Sequence, residues 1–94
     1  MTCWAYILRL ASGGIYVGAC HDLAQRILQH LTGEASRHTL LSVPVHLAYA
    51  EVRPNFVSAR RREAQIKRWS RAKKEALISG NLARLHALAI RKNY

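Results

Sequence analysis

Two short apolar runs near the start of the chain are separated by small and glycine residues, and this pattern constrains the fold most strongly. Residues 4–8 read WAYIL and residues 15–17 read IYV, with the sequence ASGG at residues 11–14 between them. Glycine reverses a chain at low steric cost, because it adopts backbone angles that other residues avoid. The pattern therefore predicts a β-hairpin.

The predicted hairpin brings two tyrosines together. Side chains on a pleated strand alternate between its faces, so Tyr6, Leu8 and Leu10 share one face of the first strand. Tyr16 and Gly18 likewise share one face of the second strand. We expect the two phenols to line a common surface, where Gly18 allows backbone or ligand to approach closely.

The rest of the chain predicts one further strand and four helices. Asp22 is a candidate N-cap for a helix over about 22–32. Residues 45–52 alternate like a strand, with Val45, Leu47 and Tyr49 on one face. Further helices are predicted over about 54–69, 70–79 and 81–90, with caps and stops between them.

These elements give the order ββαβααα, which predicts an α+β fold with a small three-stranded antiparallel sheet flanked by helices. The sequence has 94 residues, of which 50% are hydrophobic. That length supports one hydrophobic core and is too short for two. We therefore expect residues 1–94 to form a single domain.

The charge of the chain indicates a polyanionic partner. Fifteen Lys and Arg residues stand against five Asp and Glu residues, for a formal net charge of +10, and eleven of the fifteen are arginine. A positive field concentrates nucleic acid, and the guanidinium fork suits phosphate. A basic surface of ribosomal type, without any chemistry, is the alternative explanation of the charge.

The sequence predicts neither secretion nor a membrane partner. The first apolar run lacks a cationic lead and is interrupted by Arg9, which is not typical of a secretory signal. No stretch approaches the about 20 apolar residues that a membrane helix requires. We therefore expect a cytoplasmic, nucleoid-associated protein.

The two cysteines do not have the spacing of a metal site. Cys3 and Cys20 belong to no CxxC or Cys/His pattern, so we expect reduced thiols in core or edge positions. A reactive thiol at Cys20 beside His21 is the alternative. Adjacent side chains on an extended chain point in opposite directions, which disfavours that alternative.

Arg26 and His30 lie four residues apart on the first predicted helix, so they share one face. They border the apolar stripe of Leu23 and Ile27, a position from which they can point toward the sheet. The alternative is that both are boundary residues that cover the edge of the core. The spacing alone favours that alternative.

The long helix places a carboxylate among inward-facing apolar residues. Helical geometry gathers four apolar side chains on one arc: Phe56, Ala59, Ile66 and Trp69. Glu63 lies inside this arc, where its charge is costly unless a cation, a donor or a metal compensates it. An ion pair with a neighbouring arginine or with Lys67 is the alternative to a functional role.

Several of these residues, taken in order, resemble one known family. They are Tyr6, the YVG sequence at residues 16–18, Arg26 followed by His30, and Glu63 near the start of a long helix. This set resembles the GIY-YIG nuclease domain over nearly the whole chain. The chain is most similar to small stand-alone bacterial members, and is also similar to the nuclease domains of the excision-repair subunit UvrC and of junction nucleases. The first triplet, WAY at residues 4–6, keeps only the tyrosine.

The resemblance implies phosphodiester cleavage with a single divalent metal, Mg²⁺ or Mn²⁺. By that likeness Glu63 would bind the metal, and Arg26 would hold the scissile phosphate and offset charge in the transition state. Tyr6 and Tyr16 would flank the attacking water as general base or orienting groups.

The same likeness gives supporting roles to two further residues, with His30 assisting a tyrosine or the phosphate and Gly18 acting as a structural residue. The five acidic residues are dispersed along the sequence. A two-metal site of clustered carboxylates is therefore hard to assemble.

A dense basic run covers residues 60–74, with eight cations and one acid. We expect the cations to bind nucleic-acid phosphates: Arg60, Arg61, Arg62, Lys67, Arg68, Arg71, Lys73 and Lys74. The alternative is a solvated helix face, with Trp69 as a core residue. No base-reading motif is visible, so recognition of backbone or shape is expected.

Two classes of function remain. The first is a metal-dependent endonuclease that acts on branched or single-stranded DNA in repair or recombination, with RNA a weaker candidate substrate. The second is a non-catalytic nucleic-acid-binding module that retains the fold. The intact set of Tyr6, Tyr16, Arg26 and Glu63 favours the enzyme. A protein partner that supplies substrate specificity fits either class.

Overall fold

A computed structural model describes residues 2–32 and 44–92 and shows an α+β fold in the predicted order ββαβααα. The elements are β1 (Cys3–Leu10), β2 (Ile15–Cys20), α1 (Leu23–Leu31), β3 (Pro44–Arg53), α2 (Phe56–Lys67), α3 (Arg71–Ser79) and α4 (Leu82–Lys92). The ends of the four helices and of β3 lie within two residues of the predicted ends. Within the described ranges, no helix is long and apolar enough to cross a membrane.

Local capping signals fix the starts of three helices. The side chains of Asp22, Asn55 and Ser70 each accept a hydrogen bond from a backbone N–H three residues further on. Helix α3 ends at Gly80, whose φ of 72° is in the left-handed region that glycine adopts at little cost. These signals are local, which explains why the sequence revealed them.

The sheet is antiparallel in the order β2-β1-β3. A tight turn joins β1 to β2, in which the Gly13 N–H donates to the Leu10 carbonyl at 2.9 Å and the Leu10 N–H donates to the Gly14 carbonyl at 3.0 Å. Gly13 has a φ of 87°, which explains the glycine there. The predicted hairpin is confirmed, and β1 is paired on both of its edges.

The alternation predicted for β3 is wrong. Leu47 pairs with Leu8, whereas Tyr49 pairs with Ile7, so Ala48 is an extra residue between two consecutive pairs. Adjacent residues of β1 point to opposite faces, and paired residues share a face. Leu47 and Tyr49 therefore lie on opposite faces of the sheet, because the register shift at Ala48 interrupts the period of two.

The side chains of β1 enter two buried clusters on opposite sides of the sheet. We call one cluster the tyrosine face: Tyr6, Leu8, Leu10 and Cys20, with Leu23 and Ile27 of α1 packed against it. We call the other the isoleucine face: Ile7, Val17, Ile66 and Leu77, to which α2 and α3 contribute. The central strand is thus covered on both sides.

Candidate functional site

Two phenols lie on the tyrosine face of the hairpin. Tyr6 pairs with Gly18 across the strands, and Tyr16 pairs with Leu8, so the two tyrosines are diagonal neighbours. Their ring centroids are 6.3 Å apart. Tyr6 is only 1% exposed, whereas Tyr16 is half-buried. The predicted common surface of the two phenols is confirmed.

Gly18 provides the space that the Tyr6 ring occupies. A Cβ atom added at Gly18 would contact the Tyr6 hydroxyl and would lie 2.5 Å from Tyr6 Cζ. Any side chain at this position would therefore displace the ring. The close approach expected at this glycine is made by the tyrosine itself.

His30 reaches the tyrosines from the last turn of α1. Its Nε2 lies 2.8 Å from the Tyr6 hydroxyl oxygen, and its ring meets both phenols edge-on, 4.8 Å from Tyr16 and 5.9 Å from Tyr6. The hydrogen bond can run in either direction, since a neutral imidazole has one N–H and one bare nitrogen. His30 is only 1% exposed. It is positioned to exchange a proton with Tyr6.

Burial sets the protonation states of this pair. Burial, and to a lesser degree Tyr16, raises the pKa of the Tyr6 phenol well above its usual range, against the opposing charge of Arg26. Burial, and then the charge of Arg26, lowers the pKa of His30. At neutral pH the pair is therefore a protonated phenol and an uncharged imidazole.

Arg26 lies one turn before His30 on α1 and is half-buried. Together with Gln25 and Gln29 it lines an open cleft of about 170 Å³. Its guanidinium forms no ion pair with any residue in the ranges 2–32 and 44–92. Its charge acts on both Tyr6 and His30. Arg26 is therefore a positive charge within electrostatic range of the Tyr6 phenol and the His30 imidazole, and a guanidinium is a group that suits oxyanions.

Glu63 is buried on the inward stripe of α2, as the arc predicts. Its Oε2 is 2.7 Å from Lys67 Nζ. Its Oε1 is buried and accepts no hydrogen bond from the described residues, and Arg60 Nη1 lies 3.8 Å away, beyond hydrogen-bond reach. Burial is the main cause of the raised pKa of Tyr6, and the charge of Glu63 adds a small contribution, so Glu63 lies within electrostatic range of the phenol.

The unsatisfied oxygen of Glu63 fits a divalent cation. Carboxylate oxygen is the ligand that Mg²⁺ and Mn²⁺ prefer, and Mg²⁺ commonly keeps several waters beside one or two carboxylates and substrate phosphates. No group of three or more His, Cys, Asp or Glu residues in the described ranges could hold a metal. A cation at this site would therefore have Glu63 as its protein ligand and take the others from water and phosphate.

The basic run does not form one uniform surface. Arg62 bonds to Glu51 at 3.1 Å and lies 5.1 Å from the ring centroid of Trp69, and Lys73 lies 4.2 Å from the same centroid. Trp69 itself packs against the isoleucine face, as expected of a core residue. The other predicted nucleic-acid-binding cations are exposed or half-buried: Arg60, Arg61, Lys67, Arg68, Arg71 and Lys74.

The polar contacts that join the β-hairpin to α3 were not predicted from the sequence. Arg9 of β1 forms two hydrogen bonds with the Glu75 carboxylate of α3, at 2.6 and 2.8 Å. Arg71 lies 3.4 Å from the same carboxylate and donates to the Gly13 carbonyl at 2.7 Å. These bonds fasten the hairpin turn to α3. The sequence did show a charged residue, Arg9, inside an apolar strand, but it could not show that its partner is Glu75, 66 residues away.

Neither cysteine forms a disulfide, and both are buried, as predicted. Cys3 Sγ lies 3.4 Å from His21 Nδ1. Burial raises the pKa of the Cys20 thiol, which disfavours the nucleophilic thiolate. The structure thus gives no support to a reactive thiol at Cys20.

Comparisons with known proteins identify relatives of this chain. A family model described as the GIY-YIG catalytic domain matches residues 2–76. A UPF0213 protein of Staphylococcus saprophyticus is 37% identical over 76 residues, which are 81% of this chain and 93% of that protein. A UPF0213 protein of Staphylococcus aureus is 35% identical over 75 residues, with 80% and 92% covered. The solution NMR structure of a UPF0213 protein from Bacillus halodurans has a TM-score of 0.54 at 34% identity, with 84% of each chain covered.

Proposed function

The chain belongs to the GIY-YIG family of nuclease domains, and on that premise we propose that it is a divalent-metal-dependent endonuclease that hydrolyses phosphodiester bonds in DNA. The observation that carries the proposal is the buried Glu63 Oε1, which accepts no hydrogen bond from the residues that the structure describes. In the proposed site Glu63 acts together with two phenols, an imidazole and an arginine, and the charges of both Glu63 and Arg26 act on Tyr6. This set of groups suits the attack of water on a phosphodiester.

Glu63 would hold the metal through Oε1, while the ion pair with Lys67 orients the other oxygen. When bound, Mg²⁺ or Mn²⁺ offsets the charge that develops on the phosphate and acidifies water. Arg26 binds the scissile phosphate, because a guanidinium beside a buried polar cluster offers two parallel donors to phosphate oxygens. The residue thereby both positions the substrate and stabilises the transition state.

Tyr6 and His30 act as a proton relay. Tyr6 accepts a proton from the attacking water while its own phenolic proton passes to His30 Nε2, so no free phenolate forms in a site where burial disfavours it. The new P–O bond forms as the bond from phosphorus to the leaving sugar oxygen breaks, and that oxygen takes a proton from solvent water. Burial opposes protonation of His30 most, and the charge of Arg26 adds to this effect; the bound phosphate offsets the part that is due to Arg26. Tyr16 orients the water.

The proposed substrate is DNA whose backbone is flexible, such as single strands or branched structures in repair or recombination, and RNA is the weaker candidate. The basic run supplies phosphate contacts without a base-reading motif. A partner protein is the proposed source of any further substrate specificity.

A cleavage assay on four DNA forms tests the proposal. Wild type and Glu63→Gln are incubated with labelled single-stranded, duplex, flap and four-way DNA, with and without Mg²⁺ or Mn²⁺. We expect wild type to cut in metal and the variant to bind DNA without cutting, because the amide keeps the shape but loses the charge. Nicking by the variant at the wild-type rate would refute the metal assignment. Binding without cutting by wild type on every form would favour the non-catalytic module.

The phenol has a matched control within the same sheet. Tyr6→Phe should slow cleavage by about 10²–10⁴-fold, the usual range for a lost general base. Tyr49 of β3 is also half-buried and its hydroxyl donates to Glu51 at 2.7 Å, outside the site. Tyr49→Phe should leave the cleavage rate unchanged. Equal rates in both variants would remove Tyr6 from the mechanism.

A further inference from the structure

A groove lined by cations begins beside Tyr16. A cleft of about 230 Å³ lies between β2 and the two helices that follow β3, and it continues into a second cleft of about 170 Å³. The two clefts share Ile15 and Lys74. We call them together the basic groove, and its lining residues are Ile15, Tyr16, Val17, Lys67, Arg71 and Lys74.

The charge of the groove is positive. Lys74 forms no ion pair with another described residue. Arg71 shares Glu75 with Arg9, so two cations stand against one carboxylate. Lys67 is balanced by Glu63 in this structure. A phosphate backbone entering the groove would therefore meet cations whose charge is not fully neutralised.

Two other cations of the basic run are engaged within the protein. Arg62 is held by Glu51 and both Arg62 and Lys73 lie over the ring of Trp69. These cations would have to leave internal partners before they bound a phosphate. Lys74 is thus better placed for nucleic acid than Arg62 and Lys73.

The groove is continuous with the candidate active site through Tyr16. Tyr16 lines the groove and also packs edge-on against His30, at a ring distance of 4.8 Å. Lys67 likewise lines the groove and contacts Glu63. A strand whose phosphate reaches the two tyrosines therefore has the basic groove directly beside it.

We propose that one strand of the nucleic acid leaves the candidate active site along the basic groove, past the Lys67–Glu63 ion pair, with successive backbone phosphates on Lys74 and Arg71. This path rests on the proposed nuclease function and adds to it the direction in which the substrate runs. Ile15 offers the strand an apolar contact between the cations. The substrate class is a polyanionic strand with regularly spaced phosphates, recognised without its base sequence.

Salt-dependent binding tests the path without any cleavage. Labelled single-stranded DNA is titrated with protein in a chelator and followed by fluorescence anisotropy across a range of salt. Each lost phosphate contact should reduce the slope of log K against log salt by about 0.7 for a single strand. We expect this reduction in Lys74→Ala and not in Lys74→Arg. Arg84→Ala is the matched control, because it removes the same charge from an exposed position on α4.

A second measurement locates the contact on the DNA. Single phosphates are replaced by neutral methylphosphonates, and each substitution is combined with Lys74→Ala in a double-mutant cycle. Coupling should appear at consecutive phosphates on one side of the bond that wild type cuts in metal. Equal slopes for Lys74→Ala and Arg84→Ala, or no coupling at any phosphate, would overturn the path. If the path failed in this way while wild type still cut DNA, the nuclease proposal would stand. If wild type never cut DNA, the nuclease proposal would be refuted, whatever the binding measurements showed.

Discussion

The tyrosine face and the isoleucine face are formed by alternate residues of β1 and are equally buried, yet their chemistry differs. Ile7 and Ile66 are fully buried among aliphatic side chains. On the other face Tyr6 and His30 are each 1% exposed and share a hydrogen bond of 2.8 Å. Burial alone therefore does not separate the core from the candidate site, but buried polar atoms do.

This difference indicates that the two faces have different roles, one in stability and the other also in catalysis. Aliphatic burial stabilises the fold roughly in proportion to the apolar area removed from water. A buried polar pair contributes little net stability but is costly when one partner loses the other. We therefore expect changes on the isoleucine face to act on stability, and changes on the tyrosine face to act on cleavage as well.

Ile66→Ala gives the largest expected loss of stability. Removing a fully buried isoleucine should lower the free energy of unfolding by about 2–5 kcal/mol, measured by urea denaturation. Val57→Ala on the same helix is the control, because Val57 is 59% exposed, and its effect should stay within about 0.5 kcal/mol. Cleavage per folded molecule should be unchanged in Ile66→Ala. If cleavage fell by more than the unfolded fraction of the variant explains, the isoleucine face would also affect catalysis, which contradicts the expected difference between the two faces.

Gly18→Ala should lower both stability and cleavage. The added methyl group overlaps the Tyr6 ring, and overpacking of this kind costs about 1–3 kcal/mol. In a Tyr6→Leu background the phenol ring is gone, so the same substitution should cost much less. Urea denaturation of the four proteins in the cycle measures this coupling. If Gly18→Ala lowered the free energy of unfolding equally in both backgrounds, Gly18 would not be the residue that makes room for the Tyr6 ring.

Lowering the pH should reduce the stability of the fold through His30 on the tyrosine face. The pKa of His30 is lowered in the fold by burial and by Arg26, so the unfolded chain binds a proton at a higher pH than the folded chain. Stability should therefore fall as the pH drops below the unfolded value of about 6.5 and stop falling once folded His30 is protonated. His30→Gln should remove this part of the profile. Identical profiles for the two proteins would show that His30 does not carry it.

The Arg9–Glu75 ion pair should have the smallest effect. Its side chains are 25% and 36% exposed, and solvent screens such pairs, so its coupling energy should be about 0.5–1 kcal/mol. A double-mutant cycle with Arg9→Met and Glu75→Gln measures it, and high salt should reduce it. Arg9 shares the isoleucine side of β1, so the variants should leave Tyr6 in place. A strong loss of cleavage in these variants would show that the Arg9–Glu75 ion pair also positions the candidate active site.

The sequence revealed the features of this fold that depend on neighbours in the chain. The hairpin followed from the glycines at residues 13 and 14, and the helix starts followed from caps such as Asp22. The register shift at Ala48 was missed, because a bulge depends on the strand opposite rather than on alternation. The basic run gave no sign that Arg62 is engaged, since its partner Glu51 lies on another element.

Within the site, the helical spacing of Arg26 and His30 showed only that they share a face. The hydrogen bond between Tyr6 and His30 joins residues 24 positions apart, so its existence and length required the fold. The position of Glu63 on the inward arc was predictable, but its unsatisfied oxygen was not. Hydrogen-bond partners of this kind depend on the packing of α1 and α2 around the sheet.

The central position of β1 has a consequence for hydrogen exchange. Tyr6 and Ile7 lie on a strand that is paired on both edges and covered on both faces, so their amide protons should exchange with solvent only when the whole domain opens. Tyr16 lies on β2, at the edge of the sheet, where a smaller opening suffices. The proposed base is thus carried by the segment that opens last, and its partner phenol by one that opens sooner.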